Sequence, residues 1–188
     1  CKTWNNSNEM LSDPDLDIIY IATPIGKHAE QSIKVLESNK HCWCEKPFTS
    51  SYKDTKKIIN IARTKKLSVA EGFMYLYHPQ YQWLQNYINN YKNEEIKIIN
   101  CYFTIPYTRT PGFRYNPKLG GSTLLDIGTY LLSAIFGLIN NEEPIISQKI
   151  INKDKGYDVD MNGYTCLKYQ SGIICHLHWG MGFGYRND

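Results

Sequence analysis

The sequence predicts a doubly wound α/β part followed by an α+β part, the second built on a mostly antiparallel open sheet with one long helix. Residues 1–75 alternate strand and helix patterns, and such alternation implies parallel strands joined by right-handed crossovers. The run Ile18-Ile19-Tyr20-Ile21-Ala22 is continuously apolar, as in strands buried on both faces. From residue 96 onward the strand patterns are interrupted by only one long helix, which points to strands linked mostly without crossovers. A boundary is therefore expected near Tyr75, separating 1–75 from 76–188.

The elements follow in order. The first strand spans 17–22 and breaks at Thr23-Pro24-Ile25-Gly26. A helix is expected over 27–38, with Ala29, Ile33, Leu36 and Val35 forming its inner stripe. The second strand, 41–44, stops at Glu45-Lys46-Pro47, where proline cannot donate to a ladder. Ser50 or Ser51 caps a helix running to Lys65 with Ile58, Ile59 and Ala62 inward. A third strand covers 67–70. A helix over 78–91 has Pro79 in its first turn. One long strand covers 96–105, and a loop containing Pro106, Pro111, Gly112 and Pro117 leads to a strongly apolar helix ending at Ile139. Strands near 145–152, 160–169 and 172–180 close the chain.

Apolar residues make up 42% of the 188 and charged residues 21%, which is a globular composition and argues against a disordered tail. The net charge is +3, with the basic residues scattered, so nucleic acid is not an expected partner. No uninterrupted apolar run reaches about 18 residues, and no membrane span is expected. Cys42, Cys101, Cys166 and Cys175 sit in apolar runs, where cysteine packs as a small hydrophobe; a reduced, cytoplasmic protein is expected. His41, Cys42 and Cys44 lack a partner pair at zinc-site spacing, so no metal is expected.

A dinucleotide-binding α/β domain normally opens with a G-x-G-x-x-G turn between a strand and a helix. None is present, and Gly120-Gly121 and Gly180-x-Gly182-x-Gly184 lie in the wrong context. Either the domain binds no dinucleotide, or the chain lacks its first half-domain.

Four segments decide for the second choice. Thr23-Pro24-Ile25-Gly26-Lys27-His28 resembles T-P-x-x-x-H, and Glu45-Lys46-Pro47 resembles E-K-P. Glu71-Gly72-Phe73-Met74-Tyr75-Leu76-Tyr77-His78-Pro79 resembles E-x-F-M-Y-R-x-H-P, with Leu76 in place of the arginine. The segment from Arg114 through Gly120-Gly121 and Asp126 to Tyr130 resembles R-x-x-P-x-x-G-G-G-x-L-x-D-x-G-x-(H/Y). In that order and spacing these are similar to the glucose–fructose oxidoreductase and inositol dehydrogenase (Gfo/Idh/MocA) family. The resemblance implies a partial Rossmann-type domain and a partial substrate-binding and oligomerisation domain. It implies a fragment lacking the glycine-rich unit and the C-terminal end, which alone would hold NAD(P) poorly. It implies an oxidoreductase moving a hydride between NAD or NADP and a sugar, nucleotide sugar or polyol, in a parent expected to be a homo-oligomer. Tyr130 in place of histidine, with the Gly182–Asn187 tail, looks most like the nucleotide-sugar ketoreductases and glucose–fructose-type enzymes. The rival reading is a non-catalytic NAD(P)-binding regulator or sensor of the same fold; intact Lys46, Asp126 and Tyr130 count against it.

Lys46 sits at the carboxyl end of a strand, where open α/β sheets place ligands. Beside a sugar carbonyl it would stabilise developing negative charge; otherwise it is a solvated loop lysine. Asp126 and Tyr130 stand at i and i+4, on one face of an α-helix. Tyr130 would donate the proton and Asp126 would orient substrate or Tyr130; otherwise Tyr130 is a core aromatic and Asp126 bonds nearby backbone. The cofactor contacts implied by the resemblance are Thr23, Pro24, His28, Glu45, Lys46 and Arg114. Thr23 and Pro24 read equally as an ordinary strand-to-helix turn, His28 as a first-turn helix residue, and Arg114 as a loop arginine pairing with a carboxylate. Glu71 reads equally as structural.

Overall fold

The computed structural model describes residues 2–90, 96–108, 112–139 and 142–188. The chain divides into two compact units, Cys1–Gly72 and Phe73–Asp188. Tyr75 falls in a 3-10 turn, Met74–Tyr77, near the start of the second.

In the first unit, helix α1 (Ser7–Leu11) is capped by Asn6, whose side chain accepts from the Glu9 N–H at 3.0 Å. Strands β1 (Ile18–Ile21), β2 (His41–Cys44) and β3 (Val69–Glu71) form a parallel sheet in that order. Helices α2 (Ile25–Glu37) and α3 (Tyr52–Lys65) supply the crossovers. Ile19, Ile21, Cys42 and Cys44 pack with Val35, Leu36, Ile58 and Ala62 in one core. β1 is not buried on both faces as its apolar run suggests. Among the described residues the helices cover one face, and Ile18 and Tyr20 stay 55% and 50% exposed on the other. Lys40 is buried because its ammonium donates to the Asp13 and Leu16 carbonyls at 2.7 Å each. That anchors the approach to β1.

Two helix stripes differ from the expected ones. In α2 the buried set is Ile25, His28, Ser32, Val35 and Leu36, so Ala29 and Ile33 stand at the margin and a histidine takes the inner position. In α3 Ile58 and Ala62 are buried, one turn apart, while Ile59 is rotated outward and 37% exposed.

In the second unit, α4 (Pro79–Asn90) follows Met74–Tyr77; Tyr91, the expected end of that helix, lies outside the described residues, as does Pro111. A five-stranded sheet has the order β5-β6-β7-β4-β8, formed by β4 (Ile98–Ile105), β5 (Ile145–Asn152), β6 (Asn162–Lys168), β7 (Ile174–Met181) and β8 (Arg186–Asn187). Every pairing is antiparallel except β4 with β7, which run parallel over Ile98–Ile105 and Ile174–Met181. The expected long apolar helix is split. A π-helical turn, Leu124–Gly128, precedes α5 (Thr129–Leu138). The Trp179 ring occupies the space left by two glycines. A Cβ on Gly163 would lie 2.3 Å from it, and one on Gly128 about 3.1 Å. The stretch Pro117–Leu138 is long and apolar enough to cross a membrane by length and composition alone. Its Ile127, Leu131, Ile135 and Leu138 lie in the core of this unit, against Leu167, Leu177 and Trp179.

Candidate functional site

Parallel register brings three chain segments of the first unit to one level. Ile21 lies opposite Cys44, and Cys44 opposite Glu71. The residues leaving the carboxyl ends of β1 and β2, Thr23 and Glu45-Lys46, therefore stand side by side with the last residue of β3. Thr23 is exposed, and its hydroxyl donates to Gln31 Oε1 at 2.6 Å. Pro24 occupies the cap position of α2 and offers no side-chain cap. Glu45 is half-buried. Its carboxylate accepts from the Tyr20 hydroxyl and, at 3.2 Å, from the Lys46 N–H. The Glu45 partner pushes the Tyr20 hydroxyl above its ordinary range. Lys46 is half-buried and joins Pro47 through a cis peptide. Gly72 permits close approach, since a Cβ there would lie 3.3 Å from the Cys44 carbonyl oxygen and 3.5 Å from Glu45 Oε1.

His28, a cofactor contact in the family resemblance, is buried in this unit. It is 1% exposed, and both ring nitrogens are engaged, Nδ1 at 2.8 Å from the Pro47 carbonyl and Nε2 at 2.8 Å from the Thr23 carbonyl. It sits behind the strand-end segments and holds them. Glu71 has a defined partner too, accepting the Phe48 N–H at 2.7 Å. Partial loss of water pushes the Glu71 carboxyl up, opposed by the Phe48 bond and by the charge of His28.

In the second unit, Arg114 and Asp126 form an ion pair, Nε to Oδ2 at 2.7 Å. Asp126 is buried, 7% exposed, while the Arg114 side chain is 38% exposed. Arg114 lies in a single 3-10 turn, Phe113–Tyr115, closely backed by Gly121. The start of the apolar helix is held by Asp160, whose carboxylate accepts the Leu124 N–H at 2.7 Å and whose carbonyl accepts the Thr123 hydroxyl at 2.8 Å. Sequence reasoning missed Asp160, because its partners lie 36 and 37 residues away in the chain.

Asp126 and Tyr130 are not an ordinary i, i+4 pair. The Thr129 N–H reaches the Leu124 carbonyl, five residues back, so α-helical spacing does not apply through this turn. Tyr130 is half-buried among rings. Phe73 and Phe103 each lie 5.6 Å away, centroid to centroid, and Tyr75 lies 6.1 Å away. These edge-on and tilted contacts are favourable for aromatic faces. Tyr130, Phe103, Tyr75, Met74, His78 and Tyr81 line a cavity of about 520 Å³, which is within the range of small-molecule sites. Among the described residues no group of three or more His, Cys, Asp or Glu is placed to hold a metal ion.

A parallel α/β layer with polar groups at its strand ends is followed in the chain by a sheet that packs against a tyrosine-bearing helix. The chain belongs to the GFO/IDH/MocA oxidoreductase family. Residues 1–73 match the family's NAD-binding Rossmann fold, and residues 81–188 match the GFO/IDH/MocA C-terminal domain. Over 187 residues it is 29% identical to dTDP-3,4-didehydro-2,6-dideoxy-alpha-D-glucose 3-reductase of Saccharopolyspora spinosa, covering 100% of this chain and 56% of that protein. It is 27% identical to D-xylose 1-dehydrogenase (NADP(+)) 2 of Haloferax volcanii, over 93% of this chain and 53% of that one. Among solved structures it resembles KijD10, a 3-ketoreductase from Actinomadura kijaniata in complex with NADP and TDP-benzene. That match has a TM-score of 0.87 and 28% identity, covering 97% of this chain and 56% of the other. The chain thus spans about half the length of the curated relatives it matches.

Proposed function

We propose that the protein is an NAD(P)-dependent reductase or dehydrogenase acting on a nucleotide-linked or free sugar. The observation that carries this reading is the gathering of Thr23, Glu45 and Lys46 at the carboxyl ends of adjacent parallel strands, the ligand side of an open α/β sheet. Their chemistry suits the cofactor: a hydroxyl, a carboxylate and an ammonium can meet ribose hydroxyls and a carboxamide, and Gly72 lets the end of β3 pack closely against Cys44 and Glu45. Nicotinamide, when bound, supplies or accepts the hydride. Lys46 is assigned the substrate oxygen, where its ammonium donates a hydrogen bond and stabilises negative charge as the carbonyl is reduced. Tyr130 is assigned the proton: its hydroxyl gives one to the reduced substrate, and its phenolate takes one from the alcohol in oxidation. Asp126 is assigned a positioning role, since its bond to Arg114 ties the π-helical turn ahead of Tyr130 to the Phe113–Tyr115 turn.

The full-length protein is to be assayed with NADPH and dTDP-3,4-didehydro-2,6-dideoxy-alpha-D-glucose, and with NADP+ and D-xylose. Turnover of either is expected, with kcat for Lys46→Ala lower by about 100-fold or more. Near-normal turnover by Lys46→Ala overturns the assignment.

A further inference from the structure

His28, Pro47-Phe48 and Glu71 are far apart in sequence, yet they converge on a single peptide group. The Pro47 carbonyl and the Phe48 N–H belong to one planar unit. His28 Nδ1 lies 2.8 Å from that carbonyl oxygen, and Glu71 Oε1 accepts that N–H at 2.7 Å. Holding both polar ends of a rigid plane fixes its tilt as well as its position. The same imidazole reaches the Thr23 carbonyl at 2.8 Å through Nε2. One ring and one carboxylate thus tie together the segments leaving β1 and β2 and the last residue of β3. His28 is fully buried in α2, which makes it a rigid support.

We propose that His28 and Glu71 are positioning residues for Lys46: by clamping the Pro47–Phe48 peptide they hold the segment that carries the Lys46 ammonium. The inference rests on the reading of Lys46 given above. Positioning of a reacting group is sensitive to distance, and a displacement of about 1 Å costs on the order of 100-fold in rate. A clamp that only stabilised the fold would change the melting temperature and leave kcat per folded molecule intact.

The test uses the full-length protein with NADPH and dTDP-3,4-didehydro-2,6-dideoxy-alpha-D-glucose, and with NADP+ and D-xylose. It compares wild type with Glu71→Ala, Glu71→Gln, His28→Ala and Lys46→Ala, reading kcat, KM and amide hydrogen exchange at Phe48. Glu71→Ala is expected to speed exchange at Phe48 and to lower kcat by about 10- to 100-fold, with KM changed by less than about 3-fold. Glu71→Gln, whose amide oxygen still accepts, should restore both. If His28→Ala fails to fold, the two Glu71 variants still decide. Faster exchange at Phe48 with unchanged kcat makes the clamp purely structural and overturns the proposal, as does unchanged exchange in Glu71→Ala. Normal turnover by Lys46→Ala removes the reading of Lys46 and the proposal with it, while the exchange data still report on the clamp.

Discussion

Gly121→Ala should destabilise the second unit, through lack of space. A Cβ at this position would stand 2.6 Å from the Arg114 carbonyl oxygen, 2.7 Å from that of Phe113 and 2.8 Å from the Asn116 nitrogen. All three are backbone atoms, so no side chain can swing away. Restoring ordinary contact requires the Phe113–Asn116 segment to move by roughly 1 Å. Overpacking of this kind costs about 1–3 kcal/mol. The same movement stretches the 2.7 Å bond between Arg114 and Asp126. Because Arg114 is 38% exposed, that loss is discounted for solvent to about 1 kcal/mol. The sum is a loss of about 2–4 kcal/mol. Gly184→Ala is the control, since nothing lies within 4 Å of its added Cβ; it should stay within about 0.5 kcal/mol of wild type. Urea unfolding followed by tryptophan fluorescence measures both. A Gly121→Ala protein as stable as the control would refute the steric reasoning.

Tyr130→Phe keeps the ring contacts with Phe73 and Phe103, so the fold should survive by circular dichroism. Sugar-dependent kcat of the full-length protein should fall by roughly 100-fold, a barrier rise of about 2.7 kcal/mol, and normal turnover would remove the hydroxyl from the reaction. Burial pushes the Cys44 thiol up to about 12, so it stays protonated at ordinary pH. Iodoacetamide at about pH 8 should leave Cys44 unlabelled in the native protein and label it in urea; fast native labelling contradicts its burial. His178 is held below the ordinary histidine range by burial first, then by His176 and Arg186. The unfolded chain therefore takes up this proton first as pH falls. The contribution is present above about 6.5 and is lost as pH drops through the lower folded value. The melting temperature should fall from pH ~7.5 to ~5.5 more steeply in wild type than in His178→Gln, and equal slopes would exclude His178 as the source.

The legible parts of the sequence were those decided locally. β2 and β5 have the expected limits, His41–Cys44 and Ile145–Asn152, because Glu45-Lys46-Pro47 ends one and Pro144 precedes the other. Features set by distant neighbours were not legible. His28 reads as a cofactor contact or a first-turn helix residue, and its bonds to two carbonyls of other segments could not be read locally. The apolar pattern through Leu124, Leu125, Ile127 and Leu131 is continuous, so it could not show a π-helical turn packed on Trp179, a residue 51 positions beyond Gly128. β8 has only two residues, Arg186–Asn187, too few for a periodic signal. The strand-end positions of Thr23, Glu45 and Lys46 were visible because strand-to-turn breaks carry them. The partner of Arg114 was not, since a loop arginine reveals no choice among carboxylates.

Hydride transfer is tested most directly with NADPH carrying deuterium at the transferred position of nicotinamide C4, incubated with the full-length protein and dTDP-3,4-didehydro-2,6-dideoxy-alpha-D-glucose. Mass spectrometry and NMR should find a single deuterium on the carbon whose ketone is reduced, and Lys46→Ala should form that product about 100-fold more slowly. A reduced sugar carrying no deuterium, or a Lys46→Ala variant as fast as wild type, would contradict the account.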